Sequence, residues 1–241
     1  MVVETGQIYK SVVKPFFVDP MTMDHCKWIY SILNGEKEVD LRVHENPNFL
    51  LQKDYKFNEG DITTLYCLAI PRQKDLRSIR DLTSANLPLL RSIRDESLTA
   101  IEKRFNVPRQ KIASFFHYQP TFYHLHVHFV HIEKFISSRT DNVSLDSVIA
   151  NIEMVSDFYQ RTTLTYKLGA ARPLFDILVK NNVLQPEPQD EEEAKVDESA
   201  ATEGKEAAKP DSKQAEAAES VVPEQKAGNE ESKDGEPAAA E

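Results

Sequence analysis

Residues 122–130 read FYHLHVHFV, a stretch in which His124, His126 and His128 alternate with apolar side chains. Successive side chains of a strand point to opposite faces. A period of two therefore predicts an extended segment with the imidazoles on one face and Leu125, Val127 and Phe129 on the other. At a rise of ~3.3 Å per residue the outer two lie about 13 Å apart. A single Zn²⁺ needs its nitrogen ligands ~2.1 Å from one point, so His124 and His128 cannot both reach it from a regular strand. An HxH pair completed by a distant carboxylate would leave the third histidine surplus. Packing explains the row no better, because burying several imidazoles together wastes desolvation energy unless something anionic joins them. Nitrogens spaced ~6 to 7 Å apart suit an extended anion such as a polyphosphate. Imidazole titrates near neutral pH, so neighbours in the row can divide the roles of nucleophile and proton donor.

The elements around this row mix strands and helices. Residues 1–22 show no clear period and read as an extended linker or hinge. DHCKWIYSILNG (24–35) predicts a short helix with Asp24 as N-cap and Gly35 past its end. Strands are expected at 41–45 and 49–52, and TTLYCLAI (63–70) predicts one buried on both faces. A long amphipathic helix follows over 84–106. KIASFFHY (111–118) and FYHLHVHFV then predict two strands joined by the short connection QPT, which brings His117 alongside the row. A helix over 144–160, a strand over 161–168 and a last helix over 173–184 complete an α+β unit. The pentapeptide RSIRD occurs at 77–81 and again at 91–95. The offset is too short for a repeat architecture, and both copies read as exposed basic stretches.

Charge divides the chain. Residues 186–241 hold 18 acidic and 6 basic side chains and no Phe, Tyr or Trp, a net −12 that leaves +2 on residues 1–185. Such a tail cannot bury enough apolar surface to offset its ordering entropy, so disorder is expected there. Residues 23–185 are the expected folded domain. Cys26 and Cys67 form no CxxC pair and read as small core residues in a reducing compartment. No apolar run approaches the ~18 residues of a membrane span, and a net +2 on residues 1–185 is less basic excess than a nucleic-acid stripe wants.

His124-Leu125-His126-Val127-His128-Phe129-Val130 resembles the signature of the histidine triad nucleotide hydrolases and transferases. WIYSIL, ENP, RSIRDLTSANLPLL, HYQPTFYHLHVHF and QRTTLTY, in that order, resemble the C-terminal domain of the scavenger mRNA decapping enzymes, from about residue 4 through Leu184. The resemblance implies a mainly antiparallel sheet with flanking helices, a homodimer formed through paired sheets as such domains commonly do, and no metal or other cofactor. The implied substrates are capped RNA fragments or the cap dinucleotide left by 3′-to-5′ decay, hydrolysed to 7-methylguanosine monophosphate in the cytoplasm and also the nucleus. His126 would be the nucleophile and form a covalent nucleotidyl-histidine. His128 and His124 would hold phosphates and assist the leaving group, with His117 as a further phosphate contact. Trp28 matches the residue that stacks on the methylated base, and Glu38 the acid that pairs with its Watson–Crick edge. Asp54 and Lys56 match cap contacts, and Thr121 and Phe122 lie on the substrate side of the motif.

Three features depart from the family pattern. Its members carry an N-terminal domain that closes over the cap, and this chain begins at the hinge that would follow it. Phe122 stands where relatives have Tyr, and Lys53 stands where Pro is usual. Two other roles stay open at this point: a non-catalytic cap-binding or regulatory subunit, and a general hydrolase of dinucleoside polyphosphates.

Overall fold

The computed structural model describes residues 1–21, 24–137 and 142–185. The acidic segment expected to be disordered lies outside these residues.

Two antiparallel sheets organise the fold. Six strands follow the order β2-β3-β4-β6-β5-β7. They are β2 (Arg42–Glu45), β3 (Phe49–Lys53), β4 (Tyr66–Pro71), β5 (Ile112–His117), β6 (Val127–His131) and β7 (Asn142–Ser144). A smaller sheet pairs β1 (Val2–Glu4) with β8 (Leu164–Tyr166). The predicted antiparallel pairing of β5 and β6 is present, with Phe115 opposite His128. Two details differ. Regular pairing starts only at Val127, and the connection from β5 to β6 takes residues 118–126 rather than a three-residue turn. His124 and His126 therefore sit on the approach to the strand.

Alternation splits the sheet's side chains between two environments. Phe49, Leu51, Cys67, Ala69, Val127 and Phe129 are buried in the main core. The same core takes the apolar sides of α3 (Leu87–Phe105) and α4 (Leu145–Met154). Leu50 and Ile70 face the other way and pack with Cys26, Ile29, Ile32 and Leu33 around α2 (Lys27–Leu33). That second face also carries Tyr66, Leu68, Phe115, His117 and His128. β4 is consequently buried on both sides except at Tyr66 and Leu68, which are half-buried where this face opens.

Residues 1–21 are not a linker. After β1 and the short helix α1 (Gly6–Ile8), residues Tyr9–Val18 wind on with i+5 hydrogen bonds, and Asp19 N donates to Lys14 O at 2.8 Å. Tyr9, Val12, Val13 and Val18 join the main core. The two RSIRD copies also part company. In the first, Ser78 and Asp81 form a capping box around a single 3₁₀ turn, and Arg80 is fully buried. Arg80 Nη2 meets Glu4 Oε1 at 2.7 Å, and its Nη1 donates to the carbonyls of Tyr159 and Thr162 at 2.7 and 2.8 Å. The second copy lies on α3, where Arg91 pairs with Glu153 at the surface.

Glu4 extends this network to the loop before β6. Tyr118 donates to its Oε1, while Gln119 Nε2 and Tyr166 Oη donate to its Oε2, both at 2.9 Å. Tyr123 Oη then donates to Gln119 Oε1 at 2.5 Å. A buried carboxylate needs such partners, because an unpaired charge there costs several kcal/mol. Leu125 N is fixed as well, donating to Leu76 O at 2.9 Å. The histidine-bearing loop is thus tied to the N-terminal strand and to the turn after β4.

Candidate active site

Residues 117–128 bring four imidazoles to one end of the second sheet face. The rings of His126 and His128 lie 4.9 Å apart and those of His117 and His128 4.1 Å apart, centre to centre. His117 comes alongside as expected, because β5 and β6 run antiparallel with residues 115 and 128 opposed. The His117 side chain also bonds to Asn142 on β7.

His126 has its ring fixed by the backbone. Nδ1 lies 2.8 Å from His124 O. A carbonyl only accepts, so Nδ1 carries the proton and Nε2 keeps its lone pair. Burial pulls the ring's pKa down to about 4, and the neighbouring His117 and His124 push the same way. At neutral pH this imidazole is uncharged, the state a nucleophile requires.

His128 is stacked between Phe115, 5.2 Å away and nearly parallel, and Tyr66 at 5.6 Å. The Tyr66 hydroxyl reaches its Nδ1 at 2.8 Å. When that hydroxyl donates, the ring's proton sits on Nε2 and becomes available as a donor. Nε2 of His128 is buried without a partner. Desolvation, followed by the nearby His126 and His117, holds this ring well below the usual imidazole range. Burial lowers His117 and His124 likewise.

His124 is buried like His126 and His128, and its ring makes contacts away from theirs. Its Nε2 donates to Pro71 O at 2.7 Å, its ring packs edge-on to Tyr30, and its Nδ1 is buried without a partner. Its main-chain carbonyl is the acceptor that orients His126. Phe122 covers His126, stacked at 4.1 Å and 19°, and Trp28 meets Phe122 edge-on at 5.1 Å. Trp28, 43% exposed, therefore joins the histidines through one intervening ring. Thr121 is exposed at the tip of the same loop.

The polar residues expected around the base lie before β2 and just after β3. Glu38 precedes a 3₁₀ turn in the left-handed region (φ 55°), and its Oε2 accepts from Gln52 Nε2 at 2.9 Å. Asp54 accepts from Lys56 N at 2.9 Å, closing the turn after β3, and burial raises its pKa. Lys56 is exposed, its ammonium 5.9 Å from the centre of the Tyr66 ring. Lys53 does not approach this region. It projects to the opposite sheet face from Gln52 and pairs with Glu59.

Tyr66 and Asn142 had not been anticipated. Tyr66 hides in the apolar run of β4, and only the register opposite Val130 puts it on the face of His128. Lys134, with its ammonium 5.4 Å from the Tyr66 ring centre, was hidden in the same way by the chain's return after β6.

Residues 27–142 match the family described as "Scavenger mRNA decapping enzyme C-term binding". The chain belongs to this scavenger decapping family. It is 39% identical over 179 residues to an m7GpppX diphosphatase of Ascaris suum, covering 71% of this chain and 58% of that protein. It is also 39% identical over 183 residues to the m7GpppX diphosphatase of Rattus norvegicus, covering 73% and 54% respectively. For the Caenorhabditis elegans protein of the same name the figures are 37%, 68% and 54%. The chain thus spans a little over half the length of the decapping relatives it matches. The shared region contains the imidazole cluster, Trp28, Glu38 and Asp54. Among the described residues, no helix is long and apolar enough to cross a membrane.

Proposed function

We propose that this chain hydrolyses the cap of short capped RNA fragments, m7GpppN, and releases 7-methylguanosine monophosphate. The observation that carries the reading is His126: neutral, with Nδ1 committed to a carbonyl and Nε2 free to attack. In the proposed first step, Nε2 bonds to the phosphorus next to the methylated nucleoside. The bond from that phosphorus to the bridging oxygen breaks, and the remaining nucleoside diphosphate departs. Water then attacks the same phosphorus and breaks the N–P bond, which restores His126. Hydrogen-bond donors on His117 and His128 stabilise charge developing on the phosphoryl and leaving oxygens, which is where preorganised dipoles lower a barrier most.

Base recognition is assigned to Trp28 and Glu38. A methylated guanine carries a delocalised positive charge that favours an indole face and a nearby carboxylate. Lys56 and Asp54 flank the phosphate end, with Thr121 and Phe122 on the loop between base and phosphate. A homodimer is the proposed assembly, and the buried, unpaired Cys26 and Cys67 suit a reducing cytoplasmic or nuclear setting.

The test is turnover of m7GpppG by purified protein, with products identified by mass. The expected products are 7-methylguanosine monophosphate and guanosine diphosphate, and His126→Asn abolishes both. Retained turnover in that variant ends the nucleophile assignment. Cap affinity without product would replace catalysis by a binding role.

A further inference from the structure

Gln52 is a polar side chain in a place where an apolar one would pack as well. It is 4% exposed, it sits on the sheet face that carries Leu50 and α2, and its Oε1 is buried without a partner. Its Nε2 donates to Glu38 Oε2 at 2.9 Å. Chemistry fixes the amide's orientation, because a carboxylate can only accept. An orphaned buried carbonyl weakens a fold, so packing does not account for this residue.

Register shows where the pair lies. Gln52 is opposite Leu68, and Leu68 is opposite His128, so the three form one row across β3, β4 and β6. With strands ~4.8 Å apart, Gln52 is about 10 Å from His128 across the sheet. Glu38 is itself exposed and stands in a left-handed turn, so its carboxylate would otherwise be free to rotate.

We propose that Gln52 is a positioning residue for base specificity: it locks the Glu38 carboxylate so that its free oxygen meets the paired N–H donors on the edge of guanine. The inference rests on the cap-binding reading above. A guanine edge offers a ring N–H and an exocyclic amine side by side, and a carboxylate held in one orientation accepts both. Hypoxanthine keeps the ring N–H and lacks the amine, so a fixed carboxylate discriminates against it and a freely turning one does so less.

The experiment measures affinity for 7-methyl-GTP and for its inosine counterpart, by quenching of the sole tryptophan, in the full chain and in Gln52→Leu. The expected result is that Gln52→Leu narrows the preference for guanine about tenfold, the scale of one hydrogen bond to a charged group. The melting temperature of the variant stays the same or rises, since an orphaned polar atom is removed. A purely structural Gln52 gives the reverse pattern: lower melting temperature with an unchanged ratio, and that result overturns the proposal. Gln52→Met replaces the leucine variant if leucine does not fold. If the unaltered chain binds neither nucleotide, the cap-binding reading falls and takes this proposal with it. If it binds both and the ratio is insensitive to Gln52, only this proposal falls.

Discussion

Replacing Arg80 by methionine tests whether the network around Glu4 is a structural anchor. The guanidinium and the carboxylate are both fully inaccessible. Arg80→Met keeps much of the side chain's volume but removes both bonds to the Glu4 carboxylate and those to Glu4 O, Tyr159 O and Thr162 O. Breaking one side of a buried ion pair costs roughly 3–5 kcal/mol, because the remaining charge stays desolvated. Tyr118, Gln119 and Tyr166 still donate to Glu4, which argues for the lower half of that range. The three carbonyls that lose a donor argue for the upper half, at about 1 kcal/mol or more for each one left unpaired. For a folded unit of this size, each kcal/mol shifts the melting temperature by roughly 2–4 °C, so a fall of about 6–20 °C is expected. Thermal unfolding followed by circular dichroism reads it directly. The double variant Glu4→Gln/Arg80→Met should recover a substantial part of the loss, since it no longer buries a lone charge. A fall of less than about 3 °C in the single variant, or no recovery in the double, would refute the assignment.

Other expectations follow from the imidazoles and their partners. Tyr66→Phe removes the hydroxyl on His128 Nδ1 without removing the ring; turnover of m7GpppG should fall with KM changed little, by less than the roughly 10²–10⁴-fold that a direct proton donor contributes, since Tyr66 acts through His128. With His126 depressed to about 4, the acid limb of the pH–rate profile set by this ring should lie near pH 4, well below the ordinary imidazole midpoint. Stability follows the same groups. Between pH 6.5 and 4 the unfolded chain binds protons on His126 that the folded chain refuses, so unfolding free energy should decline as pH falls through that window and level off below it. Denaturant titrations at a series of pH values check the sign, and His126→Asn should remove its share of the slope.

Period and composition made the class of fold legible. The apolar run of β4 and the amphipathic helix α3 lie close to where their patterns placed them, and of the alternating stretch 122–130 the last four residues, from Val127, are strand. The misreadings have local causes. Residues 9–18 contain Pro15 and wind with an i+5 pattern, so their apolar side chains match neither helical nor strand spacing. The loop 118–126 looked like a continuation of strand because its histidines keep the alternation, yet the pairing with β5 begins beyond them. Arg80 read as surface charge because its partner Glu4 is 76 positions away, and nothing local announces such a pair. Within the candidate site, the histidines and Trp28 were identifiable from motif and resemblance. Tyr66, Asn142 and Gln52 enter only through strand register, which a single sequence does not print.

The ring of His126 takes its orientation from a peptide oxygen, that of His124, and not from a carboxylate or amide side chain. Main-chain atoms are common to every residue type, so substitution alone cannot delete this acceptor; it can only displace it. Evolution could therefore vary the identity of position 124 while the tautomer at 126 stayed defined, so long as the peptide kept its place. Loss of the nucleophile's protonation state would more readily arise through backbone movement than through altered side-chain chemistry.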